Sequence, residues 1–167
     1  MSRGFVKESD QEELPLIPER APLPPGATNY VTETGLAALL TERAELEEEK
    51  AALPTENEDE HRRAATVLDG KLALLNKRIT TARVLRGADQ PQDEVRFGAT
   101  ITLRFADNNQ TQQWRIVGVD EANIKAGKLA FTSPLAKRLT GSERGDKILF
   151  PMGGRRREIE VIAIAYD

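Results

Sequence analysis

The stretch "LPTENEDEH", residues 53–61, decides how the first half of the chain folds. Pro54 forces a break, because it lacks a backbone donor and pushes the residue before it out of helical geometry. Four acids follow within five positions: Glu56, Glu58, Asp59 and Glu60. A heptad-like seam runs on either side. Upstream, Leu36, Leu39, Arg43, Leu46, Lys50 and Leu53 recur at alternating spacings of three and four, with Arg43 and Lys50 as the weak members. Downstream, Ala65, Leu68, Leu72, Leu75, Ile79 and Ala82 repeat the pattern. Two adjacent seams joined by so short a link pack back to back as an antiparallel helical hairpin. The acids then sit at its tip. They are either a solvated bend, favoured by the dipole of the helix that follows, or carboxylates carried toward a metal or a basic wall elsewhere.

The first helix is predicted over residues 35–53, with Thr32 or Thr34 as its cap and Glu33 in or near the first turn. Those 19 positions span about 28 Å at 1.5 Å per residue. This helix is acidic, with Glu42, Glu45, Glu47, Glu48 and Glu49 against Arg43 and Lys50. The second is basic, with Arg62, Arg63, Lys71, Lys77, Arg78, Arg83 and Arg86 against Asp69. Flanking ion pairs between them are predicted, each worth about 0.2–1 kcal/mol. Gly70, a costly residue inside a helix, is read as giving the facing helix room to approach. Residues 1–28 form a leader in which Pro15, Pro18, Pro22, Pro24, Pro25 and Gly26 exclude a helix. It is either a flexible or draped tail, or a docking segment anchored by Phe5, Leu14, Leu16 and Ile17.

After a linker at residues 87–94 the period switches from helical to alternating. "VRFGATITLRF" and "TQQWRIVGVDE" flank the turn "ADNNQ" and predict a hairpin. "AGKLAFTS" predicts a third strand. "PLAKRLTG" predicts a short helix with Pro134 in its first turn and Gly141 at its end. "DKILFPM" and "REIEVIAIAY" are two further strands joined across "GGRR". Residues 95–167 therefore read as a small, mostly antiparallel sheet with one helix, and the chain as a whole as α+β.

Composition narrows the chemistry. The 167 residues contain no cysteine, and His61 is the only histidine. Disulfides, thiol nucleophiles and multi-histidine metal sites are excluded. No apolar run reaches the length of a membrane span, and no apolar core of a signal peptide opens the chain. A soluble, cytoplasmic monomer is expected. The net charge of −3 argues against nucleic-acid binding through the whole surface.

The motifs "FGATITL", "WRIVGVDEAN", "SPLAKRLTG", "PMGG" and "EIEVIAIAY" occur in this order. Together they resemble the Gre family of bacterial transcription elongation factors. "NYVTETGLAAL" is similar to that family's entry to its coiled coil, and "DGKLALLNKRITTARVL" to the return helix. The resemblance covers residues 29–167. It implies an N-terminal antiparallel coiled coil, a C-terminal domain of FKBP-like fold that docks on RNA polymerase, and a coiled coil that enters the polymerase secondary channel. In cleaving members a tip resembling Asp-Leu-Ser-Glu-Asn presents an Asp and a Glu. These help the polymerase hold a second magnesium ion and cut backtracked RNA.

Two departures qualify that inheritance. Aligning Thr55, Glu56 and Asn57 with the end of the motif puts Leu53 where the Asp belongs. The resemblance also implies a first helix longer by roughly three turns, about 16 Å. The chain is therefore expected to be an elongation regulator with weak or no stimulation of cleavage, and no enzyme in itself. It would carry no cofactor of its own, Glu56 being the residue able to meet the polymerase's Mg2+, with Glu58, Asp59 and Glu60 as further tip candidates. Contact with nascent RNA or DNA would be indirect, through the elongation complex. Ser133 and Pro134, with Asp120 and Glu121, are the candidate partner-binding residues. Arg155, Arg156 and Arg157 are read as a basic turn able to touch nucleic acid or an acidic surface. The alternatives are a working cleavage factor, or a peptide-binding or prolyl-isomerase module, which requires an apolar, aromatic-lined pocket.

Overall fold

A computed structural model describes residues 14–167; Phe5 lies outside the described residues. In order, the elements of the N-terminal half are β1 (Tyr30–Val31), α1 (Glu33–Ala51), α2 (Glu58–Thr81) and β2 (Arg83–Val84). The C-terminal half follows with β3 (Thr100–Phe105), β4 (Thr111–Val117), β5 (Lys128–Ala130), α3 (Pro134–Leu139), β6 (Lys147–Met152) and β7 (Arg155–Ala165). The fold is α+β, as the periodicities predicted.

Thr32, not Thr34, caps α1: its backbone is extended and its Oγ1 accepts from Gly35 N at 2.9 Å. The helix keeps its expected 19 residues but starts and ends two positions early, because the cap fixes the start and the last turn closes through Leu53 N to Lys50 O at 3.3 Å. The seam packs as read. Leu39, Leu68 and Leu75 are buried, and Leu36, Leu46, Ile79 and Ala82 pack with Val31 around Leu39 and Leu75. The pairings Arg43–Asn76 at 3.4 Å and Lys50–Asp69 at 2.5 Å move seven residues up α1 and seven back along α2. That is antiparallel packing in heptad register.

Three expectations for this half are corrected. Glu33–Arg86 at 2.7 Å joins an acid of the first helix to an expected basic partner, but Lys50–Asp69 joins the minority charge of each helix, because a seam position brings Lys50 across. Arg83 and Arg86 are not on α2: the chain turns extended at Ala82, with φ −60° and ψ 133°, and β2 then pairs in parallel with β1. The close approach at Gly70 is made by the leader. A Cβ there would lie 2.1 Å from Ile17 Cδ1, so the close neighbour is the Ile17 side chain, which would have to shift to admit a methyl.

The five-stranded sheet runs β5-β4-β3-β7-β6, antiparallel except for the β4–β5 pair. The crossover to β5 passes through a 3-10 turn, Ile124–Ala126, closed by Gly127 at φ 73°. Ile101, Leu103, Phe105, Ile159 and Val161 fill one face, and α3 adds Leu135, Ala136 and Leu139. The first strand begins only at Thr100: Val95 and Phe97 are buried but precede a bend at Gly98, φ 87°. The second stops at Val117, short of Glu121, because the chain meets the hairpin there. A Cβ on Gly118 would lie 2.5 Å from Tyr30 O. Beside it, the Tyr30 ring packs against Phe97 and Phe131, with centroids 6.1 and 5.7 Å away.

Arg155, Arg156 and Arg157 form no turn. They open β7, since the turn is completed by Gly153 and Gly154, both at positive φ. Arg157 binds Asp107 through Nε at 2.8 Å and NH2 at 2.9 Å, and its guanidinium lies 4.1 Å from the Phe105 ring centroid. Arg155 reaches the same carboxylate at 3.2 Å.

Two outcomes are expected. Gly118→Ala should lower stability by about 2 kcal/mol in urea denaturation, because backbone sits where the methyl must go. The Arg157 hydrogen bond, aided by the nearby Arg155 charge, holds the Asp107 carboxyl below the usual carboxylate range. The folded state thus favours the ionised form, a contribution present above the unfolded value near 4 and lost as pH falls through the lowered one. Arg157→Ala should raise the Asp107 titration midpoint measured by carboxyl NMR.

Candidate functional site

The tip is built by capping. Asn57 Oδ1 accepts from Asp59 N and Glu60 N, both at 3.1 Å, so α2 starts at Glu58. Glu58, Asp59 and Glu60 occupy its first turn, where the unpaired N–H groups favour negative charge. Glu56 lies alone in the preceding bend, and all four acids are exposed. Asp59 pairs with Arg62 at 3.0 Å. His61 Nδ1 lies 3.0 Å from Pro54 O, which ties the bend to the helix. Among the described residues no group of three or more Asp, Glu, His or Cys side chains is placed to hold a metal. The donor set fits no resident ion: Asn57 is spent on the cap and Asp59 on Arg62, leaving separate carboxylates with no common focus.

At the other end, Ser133 caps α3, its Oγ accepting from Ala136 N at 3.2 Å. Pro134 follows, exposed, with Lys137 and Arg138 exposed on the same short helix. Leu135 and Leu139 point into the core, as their spacing indicated. The surface is therefore a rigid, cationic corner, held by packing behind it.

Asp120 and Glu121 are placed elsewhere, in the joint between the halves. Asp120 receives Arg20 Nε and Arg78 NH1, each at 3.0 Å, and its side chain is 7% exposed. Glu121 accepts the Thr32 hydroxyl and is 8% exposed. Both carboxylates are used within the chain, not on an open face. Arg20 also binds Glu42 at 2.5 Å, and Arg78 donates to Ala21 O. This network was not read from the sequence. Arg20 stands among prolines and Asp120 in a turn, and no periodicity links them. Of the three arginines of β7, Arg155 and Arg157 are held by Asp107, and Arg156 is exposed. Phe97 and Phe131 pack against Tyr30, and the three rings line an open cleft with Leu85 and Ile116.

Comparison with known proteins fixes the family. Residues 90–166 match the family described as transcription elongation factor, GreA/GreB, C-term. The transcription elongation factor GreA of Acidiphilium cryptum is 36% identical over 114 residues, 67% of this chain and 73% of that protein. The GreA of Hyphomonas neptunium is 34% identical over 114 residues, with the same shares covered. Among solved structures, the prokaryotic transcription elongation factor GreA/GreB from Nitrosomonas europaea matches 84% of this chain and 99% of its own, at 16% identity and a TM-score of 0.43. A heptad-registered helical hairpin joined to a curled sheet, with identity of this extent across the joint, makes the chain a member of the GreA/GreB family of transcription elongation factors.

Proposed function

We propose that the protein binds bacterial RNA polymerase through its C-terminal domain, presents the hairpin in the secondary channel, and regulates elongation with little or no stimulation of transcript cleavage. The observation that carries the weak-cleavage reading is the tip. Leu53 stands where the family motif has its Asp, half-buried just beyond the C-cap of α1, and its side chain offers no oxygen to a metal. The remaining carboxylates are exposed and dispersed around a helix start, with Asp59 paired to Arg62. Magnesium takes hard oxygen ligands in near-octahedral geometry, so one carboxylate in the wrong place contributes nothing. Reach supports the same reading, since α1 holds 19 residues, about 28 Å.

The tip retains a use without catalysis. Four exposed acids at the end of a narrow arm repel RNA phosphates and attract basic channel walls, both at short range given screening over roughly 8–10 Å. Occupancy of the channel, not chemistry, would then be the regulatory act. The docking corner at Ser133 and Pro134 supports polymerase attachment, because its residues face outward on a helix whose other side is anchored in the core.

Two experiments test this. On backtracked elongation complexes the wild-type protein should give no more RNA cleavage than the quadruple variant Glu56/Glu58/Asp59/Glu60→Ala. Robust cleavage lost in the variant would instead establish a working cleavage factor in which Glu56 meets the polymerase's magnesium. In the full-length protein, Pro134→Arg should weaken binding to core polymerase by roughly tenfold, about 1.4 kcal/mol, with an unchanged melting temperature. Unaltered affinity would move the docking surface away from α3.

A further inference from the structure

The leader is bound where leverage on the hairpin is greatest. The contacts at the base of the hairpin, Tyr30 on Phe97 and Phe131 and Thr32 on Glu121, lie at its pivot. The leader's contacts lie higher. From the start of α1 to Glu42 is nine residues, about 14 Å along the axis. From Gly70 to the end of α2 is eleven residues, about 17 Å. Arg20 reaches Glu42 with one edge of its guanidinium and Asp120 of the C-terminal half with another. Ile17 fills the notch left by Gly70. Pro18 and Ala21 line one cleft together with Leu46, Lys71 and Leu74 of the hairpin and Val119 of the C-terminal half.

We infer that residues 17–21 are a brace, with Arg20 as its positioning residue, which fixes the angle between the hairpin and the C-terminal domain. A contact halfway up a lever resists rotation far more than the same contact at the hinge. The ionic chain Glu42–Arg20–Asp120–Arg78 alternates in sign and is mostly shielded, with Arg20, Asp120 and Arg78 side chains 18%, 7% and 14% exposed. Such a fork is specific to arginine, which can hold two carboxylates in fixed directions. Proline on either side of the anchors limits the slack in the segment that carries them. The brace governs where the tip lies relative to the docking corner, whatever the tip does there.

The absence of cysteine permits clean spin labelling at two exposed positions, Thr55→Cys at the tip and Lys125→Cys on the C-terminal half. Electron–electron double resonance on the full chain should give one narrow distance distribution. Arg20→Gln, which leaves Asp120 its Arg78 partner, should widen it at least twofold. Gly70→Ala should widen it similarly by expelling Ile17, and because alanine favours helix this variant keeps the hairpin folded. Circular dichroism should show unchanged helicity. A lower melting temperature with unchanged width in both variants would reduce the leader to a stabilising strap and overturn the proposal.

Discussion

The Thr32 hydroxyl serves two bonds at once, and the architecture turns on it. It accepts from Gly35 N, which starts α1, and it donates to Glu121, which belongs to the sheet-bearing half. Burying a carboxylate as deeply as Glu121 is costly unless donors reach it. Lys128 stands 3.5 Å from Oε2, an ionic neighbour beyond hydrogen-bond reach, so the hydroxyl supplies the direct bond. The position of α1 and the hydrogen bonding of Glu121 are therefore coupled. Once the first turn is anchored, the heptad seam fixes α2, and the exit of α2 into β2 is pinned beside β1. Gly118 is the complement on the sheet side, where bare backbone lets the Tyr30 carbonyl approach.

What could be read from the sequence followed from local periodicity. The seams of α1 and α2, the break at Pro54, the switch to alternation after residue 94 and the Ser133–Pro134 helix start each have their cause within a few residues. The contacts that join the halves do not. Arg20 meets Asp120 across a hundred positions, and nothing near either residue signals the other. Gly70 shows the same limit. Its presence in a helix demanded a close neighbour, but composition could not say that the neighbour was Ile17. The arginines of β7 looked like a turn because charge clusters suggest exposure. Strand alternation instead turned Arg155 and Arg157 toward Asp107, and Phe105 gave the second guanidinium a face to lie on.

The tip was legible in place but not in construction. Pro54 located it, and the four acids suggested a focus. The structure disperses them, since Asn57 starts a helix and three of the four become its first turn. Local capping chemistry thus decided what the carboxylates can do together.

The heptad register has a consequence for the family's variation. Arg43 meets Asn76 and Lys50 meets Asp69, seven residues on in each helix. Removing or adding seven residues in both helices leaves every surviving seam contact intact and carries the whole capped tip with it. Arm length is then a discrete variable, changing in steps of about 10 Å, while the joint below stays untouched. Reach of the arm becomes a trait that indels can set without rebuilding either end of the molecule.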